Sequence, residues 1–143
     1  MSAARLYTPE LLAATLELVN YPPLDTGALQ GEARSPTCGS TLAIDLCVAD
    51  NGLIERVGLT VRACAVGQAS AAVFARHASG RSPQEIAFNA ERFAAWLENE
   101  APQPEWPDIA LIAPAQAYPG RHGAMLLPWK AALAALSTRA AAR

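Results

Sequence analysis

The sequence has no long apolar run, few cysteines and no excess of either charge, and each shortage excludes something. Its longest apolar stretches reach six or seven residues, such as Ile109 to Ala115, which Pro114 interrupts. A membrane-spanning helix needs about twenty apolar residues, so no span is expected. The opening Met1-Ser-Ala-Ala-Arg-Leu has no apolar signal core, and the expected location is the cytoplasm. Eleven basic and thirteen acidic side chains leave a net charge of −2. The arginines are scattered without a basic stripe, which argues against nucleic acid as a partner. Glycine-rich phosphate loops, His-Glu-x-x-His and Gly-x-Ser-x-Gly are missing, so nucleotide-binding, zinc-peptidase and hydrolase chemistry have no support.

What is present fits one modest domain, residues 1–143. Apolar residues make up 52% of the 143, but 32 positions are alanine, so the core has few large side chains. Thr8-Pro9-Glu10 is a helix start, with a capping hydroxyl, a proline at the first position and an acid at the positive dipole end. Leu11, Leu12, Leu16 and Val19 follow at helical spacing and predict the apolar face, and Tyr21-Pro22-Pro23 stops the run.

The period then changes to two. Leu42, Ile44, Leu46 and Val48 predict one face of a strand, and Thr41, Ala43, Asp45 and Cys47 the other. Asp50-Asn51-Gly52 predicts the hairpin turn, Val57, Leu59 and Val61 the returning strand, and Gly27 to Arg34 a third strand. From Cys64 onward the pattern is helical. One helix runs from Ala65 to Ala78 and stops at Gly80. A second begins at the capping box Ser82-Pro83-Gln84-Glu85 and sends Ile86, Phe93, Trp96 and Leu97 to the core. Residues 101–107 predict a loop, Tyr118 to His122 an irregular turn, and Pro128 to Ala142 the last helix. The expected class is α+β: a small three-stranded antiparallel sheet packed by several helices on one face.

The chemistry centres on cysteine. Three thiols, Cys38, Cys47 and Cys64, without an export signal favour metal or thiol chemistry over structural disulfides. A hairpin centred on Asn51 pairs residues whose numbers sum to about 102, and Cys38 and Cys64 satisfy that sum. Directly opposed strand residues have β-carbons about 5 Å apart, so two thiols distant in sequence are expected to be neighbours. Cys64 stands at a helix start, which favours a thiolate. Cys47, mid-strand, is assigned to packing. Two thiolates fall short of the four ligands that zinc or an iron–sulfur cluster takes. Ser40, His77 and His122 are the candidates to extend the set. His77 fits a helix C-terminal cap, and His122, in a glycine-flanked turn, is the stronger ligand candidate.

These residues resemble a known family. Gly31-Glu-Ala-Arg34-Ser-Pro36-Thr-Cys38-Gly39 is similar to the Ala-Arg-Asn-Pro-x-Cys-Gly-Asp segment of the NifU/IscU/SufU-type iron–sulfur cluster scaffolds. Asp50-Asn51-Gly52 through Gly58-Leu59 to Ala63-Cys64-Ala65 resembles the family's second cysteine region, which enters an alanine- and serine-rich helix, here Ala69-Ser70-Ala71. Leu127-Pro128-Trp129-Lys130 resembles the opening of the C-terminal helix in the SufU branch. The resemblance implies a three-stranded sheet packed by helices and a scaffold or carrier, not an enzyme. Its cofactor is an iron–sulfur cluster or iron, and its partners are a cysteine desulfurase and recipient iron–sulfur proteins.

Cys38 and Cys64 then correspond to the first two ligand cysteines, with His122 joining them. The family's aspartate is Ser40 here, its third cysteine, the expected sulfur acceptor, is Ala124, and the histidine before it is Gly123. Arg34, Ser40, Gly123 and Ala124 therefore surround the metal or mark positions that have lost a donor. With two cysteines per chain, a cluster shared by a homodimer restores the ligand count. Two other readings remain open: a zinc-binding sulfur-relay protein of the SufU kind using Cys38, Cys64 and His122, and a partner-binding module without metal.

Overall fold

The computed structural model describes residues 6–25 and 28–141. Helix α1 (Pro9–Leu16) continues as a 3-10 turn, Glu17–Asn20, and is followed by strands β1 (Leu29–Arg34), β2 (Thr41–Val48) and β3 (Ile54–Arg62). Helices α2 (Ala65–His77), α3 (Pro83–Leu97) and α4 (His122–Ala141) complete the order, with three short 3-10 turns between α3 and α4. The sheet is antiparallel in the order β1-β2-β3, so the α+β class stands. The Gly27 end of the expected third strand and the Ala142 end of the expected last helix lie outside the described residues.

Alternation along β2 buries Leu42, Ile44 and Leu46 against the helices, together with Val57 and Leu59 of β3. The antiparallel register places Gly31 on that same inner face, opposite Ile44. There α4 lies so close that a β-carbon on Gly31 would overlap the Ala131 carbonyl and the Ala135 backbone nitrogen. Beyond the sheet the core is aromatic. Phe74 and Trp106 stack at 5.3 Å, and Trp129 meets Phe74, Phe93 and Trp106 at 4.8–5.3 Å. Trp106 comes from the expected loop, is 2% exposed, and donates its indole N–H to the Val73 carbonyl at 3.0 Å. A single aromatic between prolines has no periodicity to mark it as core.

Local signals set the helix starts. Thr8 accepts from the Leu11 N–H at 3.1 Å, and Ser82 and Glu85 form the reciprocal capping box. Three expectations change. On α1 the buried side chains are Leu11 and Ala14. Leu12 is 46% exposed, Leu16 73% and, in the 3-10 turn, Val19 82%: the helix packs inward through Leu11 and Ala14 and leaves these three outside. The last helix starts at His122, six residues before Pro128, which sits inside it. Proline there removes one backbone donor, from the bond that the Ala124 carbonyl would otherwise accept. Finally, the His77 ring does not cap its helix. Its Nε2 lies 2.6 Å from Asp108 Oδ2, in a network where Arg76 bridges Asp108 and Glu17.

Candidate functional site

The β2–β3 hairpin carries both cysteines to one end of the sheet. Thr41 pairs with Arg62, and along most of the ladder partner numbers sum to 103; a bulge between Cys47 and Val48 returns the sum to 102 at the turn. The expected register is thus off by one residue over most of its length. Neither thiol is on a strand. Cys38 is in the β1–β2 turn three residues before Thr41, and Cys64 is two residues beyond Arg62 as the N-cap of α2.

The Cys38 turn is closed by its own backbone. Ser35 donates its N–H to the Ser40 carbonyl and Gly39 donates to the Ser35 carbonyl, both at 2.8 Å. Gly39 has φ +72°, a value glycine adopts without steric cost. The turn presents an exposed thiol on a buried base: Ser35 is 1% and Ser40 6% exposed. Cys38 Sγ lies 3.0 Å from Ser40 Oγ and 3.4 Å from Ser35 Oγ. Hydrogen bonding from Ser35 and then Ser40 holds the Cys38 thiol below its ordinary pKa, and the Arg121 cation adds to this. The two hydroxyls that accept from the S–H can turn their protons to the thiolate once it forms.

Cys64 is half-buried and leaves the first N–H groups of α2 without a side-chain cap. The next turn holds Gly67, where a β-carbon would lie 2.7 Å from Ala63 Cβ and 3.3 Å from Ala124 Cβ. Ala124, fully buried, thus packs against the first turn of the Cys64 helix. One residue earlier in α4, a β-carbon on Gly123 would overlap Ser35 Oγ. The opening of α4 is therefore wedged between the Cys38 turn and the start of α2, and the serine hydroxyl occupies the space of a side chain at 123.

His122 is engaged elsewhere. Its Nε2 is 2.6 Å from the Gln116 carbonyl, and the ring lines a depression with Leu97, Asn99, Gln116 and Pro119. Among the described residues, no three His, Cys, Asp or Glu side chains gather where they could hold a metal. The structure thus assembles Cys38, Ser40, Gly123, Ala124 and Cys64 around one junction of turn and helix starts, and points the His122 ring at the end of α3. Arg34 ends β1 at the rim. Ser35, Gly67 and Arg121 belong to the same junction and were not singled out from sequence. Ser35 had a local signal in its Ser-Pro turn; Arg121 reaches Cys38 only through the tertiary fold.

No protein-family model and no curated protein matched the sequence. Solved structures did. The N-terminal part of a nitrogen-fixing NifU-like protein from Brucella abortus superimposes with a TM-score of 0.87 at 26% identity, over 96% of this chain and 96% of that one. The chain has the fold of the NifU/IscU/SufU-type proteins. A second structure, described as an iron–sulfur cluster assembly scaffold for the SUF system of Fervidobacterium islandicum, has a TM-score of 0.83 at 20% identity and covers 94% of this chain and 99% of that one. At that identity it supports the fold. At Gly123, the missing side chain leaves the space that the inward Ser35 hydroxyl fills. Any side chain at 123 would have to displace a buried serine.

Proposed function

We propose that this chain of NifU-type fold is an iron–sulfur cluster assembly scaffold or carrier that takes iron or a cluster as cargo through Cys38 and Cys64. One observation carries the reading: two separately encoded thiols at one end of the sheet, one exposed and activated by hydroxyls, the other at a helix N-terminus. The Cys38 setting favours the thiolate, the form that ligates metal. His122, the candidate third ligand, would have to leave the Gln116 carbonyl and swing its ring away from the end of α3 to join the two thiols. Two thiolates per chain suit a cluster shared between two protomers, or completed by an external thiol, better than a closed site. Sulfur comes from a cysteine desulfurase and the product goes to recipient proteins, so the chain carries and does not turn over substrate.

The test is anaerobic reconstitution with iron and sulfide, followed by metal and sulfide analysis of wild type and Cys64→Ala. Stoichiometric iron and sulfide that disappear in the variant support the reading. Tight zinc with no cluster absorption moves the assignment to a zinc sulfur-relay protein. No metal in either protein overturns it and leaves a partner-binding module.

A further inference from the structure

The outer face of the sheet is divided in two. Over one half the chain covers itself: Tyr21 accepts the Leu59 N–H at the β3 edge, and Leu24 donates its N–H to Asp45 Oδ2 at 3.0 Å. Gly58 lies beneath, where a β-carbon would sit 2.7 Å from the Pro22 carbonyl oxygen and 2.8 Å from Leu24 N. The other half, nearest the cysteines, is an open groove of about 610 Å³ with Glu32, Arg34, Thr41, Ala43, Thr60 and Arg62 in its lining. Register aligns these side chains in two rows across the strands, Arg34–Thr41–Arg62 and Glu32–Ala43–Thr60.

Arg34 and Arg62 flank Thr41 from opposite strands, so their α-carbons stand about two strand spacings, roughly 10 Å, apart. Among the described residues neither makes an ion pair, whereas Arg76 and Arg81 both do. Arg62 is two residues from Cys64 and Arg34 four from Cys38, and Arg121 acts electrostatically on Cys38. A chain with net charge −2 thus places guanidinium groups that have no ion-pair partner among the described residues beside its thiols.

We propose that this groove is the landing surface for an extended acidic segment of the protein that exchanges sulfur or cluster with Cys38 and Cys64. The proposal rests on the scaffold reading and adds the chemistry of the partner. Alternate carboxylates on an extended strand lie about 7 Å apart on one side, a spacing that two long arginine side chains can grip, and the guanidinium fork matches carboxylate geometry. The covered half shows the manner of binding: an extended segment lying on the sheet with its backbone held by a side chain. Glu32, in the second row, repels carboxylates and confines them to the Arg34–Arg62 row.

The test measures anisotropy of a fluorescein-labelled hexaglutamate peptide with the full chain, wild type, Arg34→Gln, Arg62→Gln and the double variant. An Arg56→Gln variant is the control. Each groove substitution is expected to weaken binding about threefold and the pair about tenfold, with wild-type binding falling as salt rises from 0.05 to about 0.5 M. The control should bind like wild type. No binding by wild type, or equal losses in the control and the groove variants, overturns the proposal. Tighter binding of a poly-dT oligonucleotide than of the peptide also overturns it. Iron and sulfide uptake measured on Arg62→Gln separates the two readings: peptide binding weakened with uptake intact supports the docking surface alone. Peptide binding present in a chain that never takes iron means that the scaffold reading failed and the acidic-segment groove did not.

Discussion

At the scale of single residues, reactivity is decided by what sits under a thiol. Cys38 is exposed and held by two buried serine hydroxyls, and these lower its pKa. Iodoacetamide at pH 7 should therefore alkylate Cys38 faster than Cys47, and Ser40→Ala should shift the midpoint of the Cys38 pH–rate curve upward. A midpoint unchanged by the substitution would show that Ser40 does not hold the thiolate. Close packing decides two other positions. Gly67→Ala pushes a methyl against Ala63 and Ala124 and should cost about 2 kcal/mol in denaturant unfolding, since the atoms it meets are other β-carbons and not flexible side-chain ends. The same contact makes Ala124→Cys a direct probe. A thiol there lies beside the Cys64 helix and should raise iron bound per chain on reconstitution, if the number of thiol ligands limits cargo.

At the scale of elements, a charged network ties the 3-10 turn after α1, the end of α2 and the loop before α4. Arg76 bridges Glu17 and Asp108, and hydrogen bonds from Arg76 and from His77 hold the Glu17 and Asp108 carboxyls, respectively, below their ordinary pKa. A lowered folded pKa means that the stabilisation is complete above the unfolded value, about 4, and fades as pH falls through the lowered one. Arg76→Gln should thus cost about 1 kcal/mol or less at pH 7, because the groups are partly exposed. The difference in melting temperature from wild type should close as pH drops from about 5 toward 2. A gap that persists in acid would assign the loss to packing of the arginine stem. At α3, Ser82→Ala removes half of the capping box and should cost about 1 kcal/mol.

At the scale of the whole molecule, the ligand count is the governing quantity. Two thiols in one chain make half of a cluster's set, so reconstituted protein should sediment at twice its 15.0 kDa mass and return to the monomer when the cluster is chelated. A cluster-bearing monomer would instead point to ligands from small thiols. No helix among the described residues is long and apolar enough to cross a membrane.

The sequence alone determined the element order, the three-strand sheet, the capped helix starts and the two cysteines at the hairpin's open end. Those follow from local rules: period-two alternation, Asn-Gly at a turn, Ser-Pro-x-Glu at a helix start, each acting within a few residues. The tertiary structure decided the rest. It put Leu12, Leu16 and Val19 outside because α1 packs inward through Leu11 and Ala14. It carried α4 back through Pro128 to His122, since packing on Gly31 and the junction with Gly67 and Ser35 outweigh one missing N–H. It turned His122 toward Leu97 and Asn99 at the end of α3, set Gly123 against Ser35 and brought Arg121 to Cys38. Each of these depends on which surfaces meet across long sequence separations, and no periodicity encodes that.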